Sequence, residues 1–294
     1  MVKIMEKSQE QEKEKITKSQ DRLKVLEKID EYERAEKWDL DVEDDPETIE
    51  LLPNEIDYLN KKLSSKLKSL VANFLGTRFF EKMIKQGALR IKEVRGIENF
   101  KAVKGGAIIT SNHFNVADNY VIWHSIKRHM KKGLKQRNLY KVIREGNYTA
   151  SPPPFRIILR HCNTLPLSSN KETMRKFMRS VDTLLKRGEK ILVYPEQGMW
   201  WNYRKPRPLK NGAFRFAVNA MKPVIPMFIT MEDSDTIGPD GFPIQEHTLH
   251  IMPAIYPDEK LSKPENVNNM RDKNYELWVK TYEEFYKTPL EYKK

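Results

Sequence analysis

Beyond Arg90 the sequence alternates short apolar segments with longer amphipathic ones, and this alternation constrains the fold more than any other feature. Segments of this kind predict strands and helices in turn, which is typical of α/β domains. We therefore predict a mostly parallel or mixed central sheet flanked by helices. The predicted strands are 91–95, 106–110, 139–143, 163–167, 190–194, 223–229 and 249–253. The predicted helices are 117–131, 171–187 and 212–221, followed by a closing helix over Asn266–Tyr286.

Charge is strongly segregated along the chain. The net charge of the whole chain is +12. Residues 1–60 carry −9 and residues 61–294 carry +21. A basic body of this kind attracts polyanions, whether nucleic acid, an anionic lipid surface or an acidic carrier protein, and the charge alone does not choose among them.

The first 60 residues are predicted to form an acidic extension, helical or flexible. Residues 5–38 are good helix formers, but their apolar side chains are too sparse for a core. Residues 39–50 are acidic and contain a proline, as a linker would. We expect a solvated arm, or an autoinhibitory one that folds over the basic body and competes with anionic partners.

Residues 61–90 predict a basic amphipathic helix or helical hairpin. Apolar side chains recur at three- and four-residue steps from Leu63 to Ile84, and lysines cover the other face. Two interpretations stay open: a helix packed on the core, or one lying in a membrane interface with its lysines on anionic headgroups. No apolar run is long enough to span a membrane, and the single Cys162 permits no internal disulfide. We expect a cytoplasmic protein, peripheral on the inner face of the cell membrane.

A histidine and an aspartate at short spacing are the first candidates for chemistry. His113 follows an apolar strand and Asp118 lies five residues later. On an ideal helix the two side chains would be about 140° apart, so they meet only if His113 lies in the turn before the helix. A carboxylate on one imidazole nitrogen would then leave the other as a general base. By itself this spacing is a weak signal, and a structural hydrogen bond is the alternative.

Further motifs follow in a fixed order. They are Tyr194-Pro195-Glu196, then Lys210-x-Gly212-Ala213-Phe214, then Pro223-Val-Ile-Pro226, all after Asn112-His113-x4-Asp118. In this order and spacing, residues 91–230 resemble the glycerolipid acyltransferase superfamily, of the 1-acylglycerol-3-phosphate O-acyltransferase type. The resemblance implies the glycerol-3-phosphate acyltransferase-like fold for the domain at 91–294.

The resemblance also implies an activity. A fatty acyl group would move from acyl-CoA or an acyl carrier protein, as co-substrate, to the hydroxyl of a lysophospholipid, 1-acylglycerol-3-phosphate first. His113 would be the general base and Asp118 would orient it, with no cofactor and no metal. Asn112, Glu196 and Gly198 are predicted at the substrate-binding site.

Two departures from the family pattern leave the acceptor open. Gln197-Gly198-Met199 replaces the family's Gly-Thr-Arg, and Ser168 stands where its second block ends in arginine. Either other cations replace the two missing arginines as a phosphate clamp, or the acceptor is a lysolipid or glycolipid without phosphate at that position. The candidate cations are Arg144, Arg160, Arg204, Lys205 and Arg207.

The loop around Trp200, Trp201 and Tyr203 has three interpretations. It could form a membrane-interface belt, a stacking platform for single-stranded nucleic acid, or a buried aromatic cluster that closes the domain. Nucleic acid is the least favoured partner. A catalytically silent lipid- or nucleic-acid-binding protein on the same fold is the alternative from another class.

Overall fold

The computed structural model describes residues 18–43, 47–130, 138–153 and 155–294. The helices are α1 Gln20–Arg34, α2 Leu63–Lys85, α3 Ile97–Ala102, α4 Asp118–Ile126, α5 Glu145–Thr149, α6 Phe155–His161, α7 Lys171–Lys186, α8 Gly212–Ala220 and α9 Lys263–Tyr286. The strands are β1 Arg90–Arg95, β2 Ala107–Thr110, β3 Leu139–Ile143, β4 Thr164–Pro166, β5 Lys190–Val193, β6 Val224–Ile237 and β7 Pro243–Ile251.

The strands form one seven-stranded sheet in the order β1-β7-β6-β2-β5-β3-β4. Neighbouring strands are parallel except β6 and β7, which pair antiparallel. In β2 and β5 every residue is buried, as expected for short apolar strands covered on both faces. The predicted mixed α/β sheet is confirmed.

Helices cover both faces of this sheet. On one face α7, α8 and α9 contribute Phe177, Phe214 and Trp278 to the larger core cluster. On the other, α3 and α4 contribute Phe100 and Ile122 to a second cluster. The two layers of helices therefore enclose the sheet and fix the positions of the loops that follow its strands.

Most predicted elements are observed within a few residues, and the exceptions have physical causes. The β6–β7 pair is longer than predicted because it continues beyond the buried part of the sheet, where side chains of β6 alternate between half-buried and exposed. Helices α3 and α5 were not predicted because six and five residues are too few to show a helical period.

The predicted boundary at residue 60 does not separate an extension from the domain. Leu51, Ile56 and Tyr58 are buried in the larger core cluster. Helix α1 also packs on the body: Ile29 is buried in a third cluster with Val42 and Trp200. A few apolar side chains of α1 are enough to dock this helix on the body because aromatic residues of the body surround them. The predicted helical segment before residue 18 lies outside the described residues.

Helix α2 buries small residues and exposes most of its large apolar ones, whereas Phe80, Met83 and Ile84 near its end pack partly buried against the second core cluster. Ser69, Ala72 and Gly76 are the buried positions, and an added Cβ at Gly76 would lie 3.5 Å from Cys162 Sγ. The exposed side chains are Leu63, Leu67, Leu70, Val71, Phe74, Leu75 and Phe79. Close packing through small residues therefore leaves the apolar stripe in solvent. Within the described residues, no helix is long and apolar enough to cross a membrane.

Candidate active site

His113 and Asp118 meet at the end of strand β2. His113 lies in the turn after β2, and Asp118 is the first residue of α4. His113 Nδ1 lies 2.7 Å from Asp118 Oδ2. The side chain of Asp118 is fully buried, whereas that of His113 is 24% exposed. One ring nitrogen is therefore tied to a buried carboxylate, and Nε2 is the ring atom available to accept a proton.

The carboxylate of Asp118 also builds the turn that places the histidine. Its Oδ2 accepts hydrogen bonds from the backbone N–H of Phe114 and Asn115, at 3.2 and 3.4 Å. Asn115 Oδ1 in turn accepts from the backbone N–H of Ala117 at 3.1 Å. These bonds satisfy backbone amides of the turn that precedes α4. The five-residue spacing of His113 and Asp118 is thus the one at which these hydrogen bonds close the turn.

Tyr194, just after β5, contacts both members of this pair. Its ring stacks on the His113 imidazole with centroids 4.0 Å apart and planes at 13°. Its hydroxyl donates to Asp118 Oδ1 at 2.5 Å. Burial, and then the Asp118 charge, raise the pKa of Tyr194 well above its ordinary value. The phenol therefore stays a neutral donor and satisfies the second carboxylate oxygen.

Asn112 fixes the loop from the other side. Its Oδ1 accepts from the backbone N–H of Ile229 at 2.8 Å, and its Nδ2 donates to the Ile229 carbonyl at 3.0 Å. The side chain thus continues the pairing of β2 with β6 beyond the last strand residue. Asn112 is buried, so the structure places this predicted substrate-binding residue behind the histidine, where it positions the loop.

Glu196 and Arg207 form a buried ion pair beneath the His113 turn. Glu196 Oε2 accepts from the backbone N–H of His113 at 3.0 Å and from Arg207 Nη2 at 3.2 Å. Its Oε1 accepts from the backbone N–H of Arg207 at 2.9 Å, and Arg207 also donates to the Gly198 carbonyl. The Arg207 side chain is 1% exposed. These three predicted substrate-binding residues therefore hold the loop together from inside.

The remaining candidate cations do not converge on one point. Arg204 pairs with Asp233 on the β6–β7 hairpin, and Lys205 pairs with Glu33 of α1. Arg160 donates to the carbonyls of Tyr148 and Thr149, at 2.8 and 3.0 Å. It lines a polar cavity of about 200 Å³ together with Tyr140 and Thr164, where β3 and β4 begin, opposite the edge that carries His113.

Arg144 directly follows β3, on the same edge of the sheet as His113, and its Nη2 donates to the carbonyl of Gln197 at 3.0 Å. Gln197 adjoins Glu196, and its backbone is left-handed, with φ of 68°, where the family has glycine. Arg144 also pairs with Asp41, a residue the sequence did not indicate as part of a site.

The aromatic loop is buried. Trp200 and Trp201 lie against the N-terminal segment: Trp200 stacks on Trp38 with centroids 5.7 Å apart, and its Nε1 donates to the Leu40 carbonyl at 3.0 Å. The backbone N–H of Trp200 also donates to the His113 carbonyl at 3.1 Å. The third interpretation, a cluster that closes the domain, is the one observed. The interfacial belt and the nucleic-acid platform are wrong because α1 and the segment after it cover these rings.

No group of three or more His, Cys, Asp or Glu side chains within the described residues is arranged to hold a metal ion.

Comparison with known proteins supports the fold and an acyltransferase domain. The acyltransferase family model matches residues 91–230. The chain is similar to the crystal structure of the 1-acyl-sn-glycerophosphate (LPA) acyltransferase PlsC from Thermotoga maritima. That similarity has a TM-score of 0.51 at 19% identity and covers 80% of this chain and 87% of that one. No curated protein sequence matches the chain.

Proposed function

Since residues 91–230 form an acyltransferase domain with the PlsC fold, we propose that the protein transfers a fatty acyl group to the hydroxyl of a lysophospholipid. The acyl donor is a thioester, acyl-CoA or acyl carrier protein, and 1-acylglycerol-3-phosphate is the first acceptor to test. The observation that carries this proposal is the His113–Asp118 pair, 2.7 Å apart at the carboxyl end of a central parallel strand. Ligand sites of open α/β sheets lie at such edges.

The proposed mechanism needs only this chain's own groups. His113 Nε2 takes the proton of the acceptor hydroxyl as its oxygen attacks the thioester carbonyl. The tetrahedral intermediate collapses, the C–S bond breaks, and the imidazolium returns the proton to the leaving thiolate. Asp118 holds Nδ1 as the donor and stabilises the transient imidazolium.

An acceptor without phosphate is a second candidate, and one observation favours it. Ser168, at the position where the related family has an arginine, donates to Glu145 Oε1 at 2.8 Å. Burial alone would raise the pKa of Glu145, but hydrogen bonds from the backbone amides of Leu51 and Ser169 and from the Ser168 hydroxyl lower it. This position therefore carries a buried negative charge, which disfavours a phosphate there.

We also propose that α2 docks the enzyme on an anionic membrane. Leu63, Leu70 and Phe74 are 82%, 68% and 62% exposed on one face. Lysines and an arginine occupy the rest of the helix, so apolar burial and headgroup attraction would act together. A peripheral position on the inner face of the cell membrane follows from this surface and from a cytoplasmic thioester donor.

Acyl transfer to a panel of lysolipids tests the chemistry. Labelled acyl-CoA and acyl carrier protein are offered with lysophosphatidic acid, a lysophosphodiester and a glycolipid on anionic liposomes. We expect transfer by the wild type and a loss of about 10²- to 10⁴-fold in His113→Ala, the usual contribution of a general base. Transfer that survives in His113→Ala would refute the mechanism. Absence of transfer to every acceptor would instead favour a silent lipid-binding protein.

Liposome flotation tests the membrane surface. Leu70→Glu combined with Phe74→Glu places two charges on the exposed face of α2 and should abolish flotation with anionic vesicles without unfolding the protein. Ile237→Glu, an equally apolar exposed position at the end of β6, is the matched control and should float like the wild type. Equal flotation of all three proteins would exclude α2 as the docking surface.

A further inference from the structure

An N-terminal strap crosses the edge of the sheet that carries His113. We define the strap as the described residues 38–43 and 47–51. Leu40 and Asp41 lie beside the loop after β5, and the backbone N–H of Leu51 donates to Glu145 Oε1, after β3, at 2.7 Å. The carbonyl of Leu51 accepts from the Ser168 hydroxyl, after β4, at 3.0 Å. The strap therefore follows the carboxyl ends of three neighbouring strands beside β2.

Acidic side chains of the strap and of α1 pair with cations of the body. Asp39 pairs with Lys210, Glu33 with Lys205, and Asp41 with Arg144. The Asp41 pair is the one beside the His113 turn, and it is bidentate: Arg144 donates from Nη1 to Oδ2 and from Nη2 to Oδ1, the latter at 2.9 Å. Two parallel bonds to a guanidinium are also how proteins bind a phosphate.

Arg144 lies on the same edge of the sheet as His113, two strands away, because it follows β3 whereas His113 follows β2. It donates to the carbonyl of Gln197, and the adjoining Glu196 holds the backbone N–H of His113. The side chains of Arg144 and Asp41 are 34% and 28% exposed. Because water reaches the pair, another anion can compete with the carboxylate for the guanidinium.

Gly198 leaves the space that the Asp41 carboxylate occupies. A Cβ built on Gly198 would lie 2.9 Å from Asp41 Oδ1, closer than van der Waals contact allows. Any side chain at this position would press on the carboxylate. The glycine at position 198 therefore lets the strap place Asp41 against Arg144.

We propose that Asp41 is a specificity-determining residue: its carboxylate occupies Arg144 in place of an acceptor phosphate, and a phosphate-bearing acceptor must displace it to bind. This inference rests on the proposed acyl transfer. Every phosphate-bearing acceptor must displace the same carboxylate, so the strap lowers the affinity for each of them by the same factor. A phosphate-free acceptor does not need Arg144, and the strap thereby shifts the preference toward acceptors without phosphate.

Steady-state kinetics of Asp41→Asn test this proposal. Removing a partly exposed competing charge should lower KM for lysophosphatidic acid by about two- to fivefold, with kcat unchanged. KM for a lysophosphodiester should fall by the same factor, whereas KM for a phosphate-free glycolipid should not change. Gly198→Ala should act in the same direction because it displaces the carboxylate. Arg144→Gln should raise KM for lysophosphatidic acid and cancel the gain from Asp41→Asn in the double variant.

The matched control is Glu43→Gln, which removes the same charge from the strap at a residue that pairs with Arg22. It should leave KM unchanged. An unchanged or higher KM in Asp41→Asn, or an equal drop in Glu43→Gln, would overturn the proposal while leaving acyl transfer intact.

A binding measurement keeps the two proposals separate. Calorimetric titration with sn-glycerol 3-phosphate needs no turnover and should show tighter binding to Asp41→Asn than to the wild type, with no gain in the double variant lacking Arg144. If no acyl transfer is found, this titration still decides the role of Asp41. Equal affinity of the wild type and Asp41→Asn for this probe would refute it.

Discussion

Replacing Tyr194 by phenylalanine removes one hydrogen bond from the candidate active site and leaves the ring that stacks on His113. Among the described donors, the Tyr194 hydroxyl is the one that reaches Asp118 Oδ1, whereas Oδ2 keeps its bonds to His113 and two backbone amides. A hydrogen bond to a charged group contributes about 1.5–3 kcal/mol. Because the Oδ2 contacts persist, we expect the lower value, a loss of about tenfold in kcat/KM.

The split between kcat and KM separates a positioning role from a merely structural one. Without the phenol, the buried carboxylate of Asp118 keeps only its Oδ2 bonds and holds the His113 ring less firmly. The acceptor does not contact this hydroxyl bond. The loss should therefore appear in kcat, with KM for the acceptor unchanged.

The assay is acyl transfer, with kcat and KM measured for the wild type, Tyr194→Phe and Tyr140→Phe. Tyr140 is a buried tyrosine of β3 and serves as the control for loss of an interior hydroxyl. We expect its kcat and KM to match the wild type. A Tyr194→Phe enzyme that loses activity through KM alone, or keeps full activity, would refute the reasoning.

Three further predictions concern stability, each measured by urea unfolding. Glu196→Gln leaves the Arg207 guanidinium buried without a charged partner and should cost about 3–5 kcal/mol; a cost below about 1 kcal/mol would contradict the buried pair. Burial, and then nearby Arg95, lower the pKa of His250 to about 4, so the unfolded chain binds a proton below about pH 6.5 and the folded one does not. Because of this protonation, the free energy of unfolding should fall by about 2–3 kcal/mol between pH 7 and 4.5. His250→Gln should remove this decrease, and a variant with the same pH dependence as the wild type would count against the prediction. Gly106→Ala places a Cβ 2.0 Å from the Leu185 carbonyl oxygen and should destabilise by at least about 1–3 kcal/mol, whereas Gly212→Ala, which meets nothing within 4 Å, should not.

The sequence predicted those features of the site that depend on residues close together in the chain. The strands that surround the site were found because each is a short apolar run. The turn joining His113 to Asp118 was predicted because five residues cannot bring both side chains to one helix face. Tyr194 belongs to a motif that the sequence shows. Its hydroxyl, however, donates to Asp118, which is 76 residues away along the chain, so no sequence spacing indicates that hydrogen bond.

The errors arise where one side chain has two possible partners. Arg207 has the character of a phosphate-binding residue, and only the fold shows that Glu196 uses it internally. Trp200 has the character of an interfacial residue until a remote helix covers it. Charge segregation indicated that acidic and basic parts would meet, but it could not indicate that Asp41 would meet Arg144.

The long reach of the N-terminal segment has a consequence for how the molecule folds. Leu51 bonds to Thr173, 122 residues later, and the Glu33 carboxylate accepts from the backbone N–H of Lys293, 260 residues later. The strap and α1 therefore depend on partners far along the chain, and such distant pairings form slowly. Until they form, the edge of the sheet that carries His113 lacks its N-terminal cover. We therefore expect docking of the strap to be among the last steps of folding, so that the candidate active site is completed late.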